Sequence, residues 1–140
     1  MVLVKKTVEP TPLPSLLLPD LEVTSLSSSL TTVPQGGNLS VSDTTTNIGA
    51  VLAGSSNTNF YLSINNIIDP TDTVIGSRQI GALSPSTSSL ATTTTTIPAN
   101  LALGSYYLGA CVDAGFAVVE SNETNNCWVV DSKIEVVSVL

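Results

Sequence analysis

The sequence predicts an all-β protein, a two-sheet sandwich of about seven short antiparallel strands. Three observations carry that expectation. Along several segments apolar and polar residues alternate with a period of two, as on a strand with one buried face. Those segments are short, and Gly, Pro, Asn or Asp turn chemistry ends each of them. No window combines a 3.6-residue apolar stripe with helix caps.

Residues 1–19 read as a Pro-rich arm or linker, and 20–140 as the β-sandwich domain. Pro10, Pro12, Pro14 and Pro19 oppose helix and favour extended polyproline II geometry. The first strand is expected over 20–26, where Leu21 and Val23 alternate and Leu26 follows near the end. A turn at Pro34-Gln35-Gly36-Gly37 leads to a second strand over 38–47. Its Leu39 and Val41 are followed in phase by polar Asp43 and Thr45, and Asn47-Ile48-Gly49 then turns the chain. The strand over 59–65 places Phe60, Leu62 and Ile64 on one face. A loop with Asp69, Pro70 and Asp72 leads to 73–83, which Ser84-Pro85-Ser86 ends. The Thr-rich run 88–97 is strongly β-prone, since β-branched residues fit a pleated surface, and it stops at Pro98. One helical turn is expected at 100–103. Strands over 105–113 and 127–139 complete the set. Tyr106, Leu108, Ala110 and Val112 share one face of the sixth strand, and Trp128 and Val130 share the matching face of the seventh. These are the expected core residues, with Trp128 enclosed between the sheets.

Cys111 and Cys127 fall on the opposite face and bracket one long loop, so the expectation is a single disulfide joining neighbouring strands. A disulfide implies an oxidising compartment, which together with the composition points to an extracellular or cell-surface location. The alternative is a pair of buried free thiols in a cytosolic protein. Residues 1–8 lack the uninterrupted apolar region of a signal peptide, and Leu16-Leu17-Leu18 is far too short to span a bilayer, so membrane insertion is not expected.

Composition excludes several function classes. Of 140 residues, 42% are apolar, too many for a disordered chain, while only 11% are charged. The net charge is −7 with four basic residues in all, so no Lys/Arg patch able to neutralise several phosphates can be built, and nucleic acid is a poor partner. Histidine is absent, which removes Ser-His-Asp and Cys-His catalysis and His-ligated zinc. Two cysteines cannot make a four-ligand thiolate zinc site.

The candidate site is the acid and amide cluster between the last two strands. Asp113, Glu120, Glu123 and Asn125, with Asn126 beside them, offer the oxygen ligands that Ca2+ takes, although their spacing matches no EF-hand. The competing reading is structural: these side chains bond to loop backbone and hold the long hairpin in shape. On that reading Glu120, which follows Val118-Val119, is drawn against the sheet as an acceptor, and Glu123 faces solvent. Asp69 with Asp72 forms a second carboxylate pair, read as a polar turn. Glu120 and Glu123 do not qualify as a glycosidase pair, because three residues apart on a loop fixes no separation. No catalytic residue and no cofactor are therefore assigned, with calcium kept as the alternative.

In their order these features resemble the CARDB family, a cell-adhesion-related domain of bacteria and archaea. The matching pieces are PDLEV at 19–23, TTNIG at 45–49, FYLS at 60–63, IP at 97–98 and, the strongest, GSYYLGACVDAGFAVVESNETNNC at 104–127. The resemblance covers about 19–137. It implies an immunoglobulin-like seven-stranded sandwich, usually one module within a larger surface or secreted protein, and it carries no general catalytic residues. The departure is Asp43 to Thr46, which is more polar than the apolar strand common before the turn. The expected function is a non-catalytic extracellular module for adhesion, spacing or protein interaction, with an unidentified protein or cell-surface ligand as partner. Two alternatives belong to other classes. One is a self-assembling subunit whose N-terminal arm adds to a neighbour's sheet edge. The other is an accessory calcium- or carbohydrate-binding domain of a secreted hydrolase.

Overall fold

The computed structural model describes residues 17–69 and 71–139. The proposed arm segment carrying Pro10, Pro12 and Pro14 lies outside the described residues. Eight strands follow in chain order: β1 (Leu21–Ser28), β2 (Thr32–Pro34), β3 (Asn38–Asn47), β4 (Ser56–Ser63), β5 (Thr73–Ile80), β6 (Ser88–Thr96), β7 (Gly104–Val112) and β8 (Cys127–Val137). They form a three-stranded sheet, β1-β3-β6, and a five-stranded sheet, β2-β8-β7-β4-β5. All seven expected strands are present. The eighth, β2, is three residues long and pairs parallel with the end of β8. Every other strand pairing is antiparallel.

Side chains at every second position meet between the sheets. Leu21, Val23, Leu39 and Val41 come from one sheet, and Val33, Phe60, Leu62, Ile75, Tyr106, Leu108, Ala110, Ile134 and Val136 from the other. The outer row of β3 and β6 is hydroxyl-rich: Ser42 bonds Thr92 and Thr46 bonds Ser88, both at 2.8 Å.

Polar Asp43 and Thr45 do point inward, and both are fully buried. The compensation comes from the facing sheet. Arg78 of β5 reaches across, with Nε 2.7 Å from Asp43 Oδ1 and Nη2 2.9 Å from Oδ2. Its guanidinium also donates to the Ser89 hydroxyl and carbonyl on β6, both at 3.0 Å. A buried carboxylate is tolerated because a two-pronged donor completes it.

The Asn47-Ile48-Gly49 turn holds the start of the domain. Asn47 Oδ1 accepts from the N–H groups of Asp20 (3.1 Å) and Gly49 (2.9 Å). Its Nδ2 donates to the carbonyls of Val51 (2.8 Å) and Leu83 (3.0 Å). A Cβ on Gly49 would lie 2.5 Å from the Asp20 nitrogen and 2.6 Å from the Leu18 oxygen, so only glycine lets the 18–20 segment lie this close.

Three local expectations are corrected. Strand β4 starts at Ser56 and ends at Ser63, so Ile64 lies beyond the ladder and is 80% exposed. No helical turn forms at 100–103; a hydrogen bond from Leu101 N–H to the Pro98 carbonyl closes a simple turn instead. Trp128 is not enclosed. It stands opposite Ala110 on the inward face, as the pattern required, yet it is 42% exposed. The cause is its place in the sheet. Strand β2 covers β8 only at Glu135–Val137, so among the described residues no strand runs beside Trp128.

Candidate functional site

Strand β7 ends at Val112, where the chain leaves the ladder for the long loop to β8. Asp113 takes a left-handed backbone conformation (φ 54°), which Asp tolerates better than most residues. Its carboxylate folds over the loop it starts: Oδ1 accepts from Ala117 N–H at 2.8 Å and Oδ2 from Val118 N–H at 3.1 Å. Val118 is buried in the core cluster and anchors the loop, while its neighbour Val119 is exposed. That anchor draws Glu120 inward, where Leu21 N–H donates to Oε2 at 2.8 Å and Asn126 Nδ2 to Oε1 at 3.2 Å. Nearby, Asn125 Nδ2 donates to Asp20 Oδ1 (3.0 Å) and Ser121 N–H to the Pro19 carbonyl (3.0 Å). Loop and chain start are thus fastened by three residues of the loop, Glu120, Ser121 and Asn125, and three at the chain start, Pro19, Asp20 and Leu21.

The structure brings the three carboxylate candidates together. Asp113, Glu120 and Glu123 each offer a carboxylate oxygen within 4.8 Å of the others, the first two buried and the third exposed. The fourth candidate, Asn125, donates through Nδ2 to Asp20. Two carbonyl-type oxygens in the same region, Asn125 Oδ1 and Asn126 Oδ1, are buried with no hydrogen-bond partner. The Glu120 carboxyl is pushed up to about 8. Burial is the largest cause. The Leu21 N–H bond opposes it, and the neighbouring Glu123 and Asp113 add to the rise. Among the described residues no basic side chain answers this charge: Arg78 is taken by Asp43, and Lys133 lies over the Tyr107 ring.

Beside this cluster Cys111 and Cys127 are joined by a disulfide, directly opposed on β7 and β8 with Cα atoms 4.1 Å apart. With Tyr61, Ile68, Val112 and Phe116 they line an apolar cleft of about 220 Å3. The Asp69–Asp72 pair is a closed polar turn: Asp72 Oδ2 accepts from Asp69 N–H and Asp69 Oδ1 from Thr71 N–H. Hydrogen bonds from Thr71, its hydroxyl first and its N–H second, hold the Asp69 carboxyl below its ordinary range.

Sequence reasoning missed two members of this region. Asp20 and Leu21 belong to it through contacts with residues 105 and 99 positions away, and nothing local to the chain start signals them. The sequence marks Asn47 only as a turn residue, whereas its carboxamide joins four backbone groups on three segments.

Comparison with known proteins bears on the whole domain. The CARDB family model matches residues 18–130. The CARDB domain of a Pyrococcus furiosus protein, solved in complex with di-metal ions, superposes with a TM-score of 0.60 at 23% identity over 86% of this chain and 90% of that one. A domain of an inferred cell-surface protein from Methanosarcina acetivorans gives 0.57 at 22% identity over 86% and 94%. The β-glucosidase 3B of Thermotoga neapolitana gives 0.52 at 15% identity, over 84% of this chain but 17% of the enzyme. At these identities the likenesses show the fold alone. None of the curated proteins matches the chain.

Proposed function

The chain belongs to the CARDB family, and from that premise we propose that it serves as a non-catalytic module at the cell surface, in adhesion, spacing or protein interaction. The observation that carries this reading is the use the fold makes of its buried acids. Asp43, Asp113 and Glu120 all accept hydrogen bonds from backbone amides or from Arg78. Groups held this way shape loops and join sheets. The description of the Methanosarcina relative as an inferred cell-surface protein supports the location, and the disulfide fits an oxidising compartment. The di-metal complex of the Pyrococcus domain supports a role for metal ions in such modules.

Protease treatment of intact cells tests the location on which adhesion and spacing both depend. A surface module is shaved off, or cut, before the cells are broken. Full protection until lysis, with a cytosolic marker degraded in parallel only after lysis, would contradict the proposal.

A further inference from the structure

We infer that Asp113, Glu120, Glu123 and Asn126 form a binding site for a divalent cation of the calcium class, set where the β7–β8 loop is fastened to the segment entering β1. Two independent observations lead there. The first is the meeting of three carboxylates, with ligand atoms within 4.8 Å of one another, two of them buried. The second is the Asn126 side chain, which is 94% buried by its 6% exposure and has an oxygen without a partner. Its carboxamide faces the cluster, with Nδ2 3.2 Å from Glu120 Oε1. When a cation binds, turning that amide over gives up the Nδ2–Glu120 bond and puts a fourth oxygen beside the carboxylates, with the ion between them.

The chemistry of the donors selects the ion. Every ligand is a hard oxygen, three of them carboxylate, and the chain has no histidine and no free thiol. That set suits Ca2+, which takes six to eight oxygens and accepts irregular geometry, with water completing the shell. It suits Mg2+ less, which demands near-octahedral placement. The carboxylates keep their backbone contacts, because an oxygen with two lone pairs can accept an N–H and face a cation together. A bound ion would therefore tighten an existing joint, since Glu120 already holds Leu21.

Thermal melts of EDTA-stripped protein test the site. Millimolar calcium chloride should raise Tm by about 5 °C or more relative to sodium chloride of equal ionic strength. Glu123→Gln removes an exposed like charge beside Glu120, so its metal-free Tm should not fall below the parent value, while the calcium rise disappears. Glu120→Gln keeps an acceptor for Leu21 N–H and should also lose the rise. No calcium rise in the parent, or a full rise in Glu123→Gln, would overturn the inference. An equal rise with magnesium would overturn the calcium-class assignment.

Discussion

Glu120 and Asn47 hold the same end of the molecule by different physics. At Glu120 a carboxyl is buried among other acids and its pKa rises to about 8 from the ordinary 4.5. Between those values the folded state binds more protons than the unfolded chain, so stability falls as pH rises through that window. In metal-free buffer Tm should therefore decline from about pH 5 to pH 8. Glu120→Gln should flatten the decline, which a series of melts across pH would show. Asn47 carries no charge and is fully buried, with both donor and acceptor capacity filled by backbone. Asn47→Ala would strand several backbone groups and should cost about 3 kcal/mol in urea unfolding. Little of this was legible in the sequence. The residue types around Glu120 lie close together in the chain and pointed to oxygen chemistry. Their partners Asp20 and Leu21 lie about a hundred positions away, and a turn signal such as Asn-Ile-Gly does not state which strands its side chain will bridge.

Strands were far more legible than side-chain roles, because period-two alternation is local and strong. Seven of eight were placed from alternation and turns. Strand β2 escaped since three residues carry no period, and parallel pairing with β8 leaves no hairpin signal. Trp128 shows the limit of a face assignment. Alternation set its direction correctly, but enclosure depends on whether a neighbouring strand runs alongside, and among the described residues none does there. Trp128→Ala should accordingly cost less than the roughly 3–5 kcal/mol typical of a buried tryptophan, and native fluorescence should report partial water contact. The inter-sheet ion pair behaves in the opposite way. Arg78→Ala or Asp43→Ala alone leaves a buried charge unmatched and should cost about 3–5 kcal/mol. The double substitution should cost clearly less than the sum, as a double-mutant cycle would measure. Removing the Cys111–Cys127 bond, which closes a loop with sequence separation 16, should cost about 3 kcal/mol by chain entropy.

At the scale of the whole molecule, a net charge of −7 is distributed with a purpose. One acid is neutralised between the sheets by Arg78, and Asp20, Asp113, Glu120 and Glu123 gather at the end where the chain enters β1. The sandwich supplies the frame, and this acidic joint fastens its longest loop to its first strand. Fold class followed from alternation and turn spacing, and the family resemblance agreed with it. The joint required the fold, because only sheet topology brings Asp20 to Asn125 and Leu21 to Glu120. The most direct test is a crystal structure grown with calcium and measured for its anomalous signal. The account predicts one ion within about 2.3–2.6 Å of oxygens from Asp113, Glu120, Glu123 and Asn126. Well-ordered carboxylates at saturating calcium with no ion between them would contradict it.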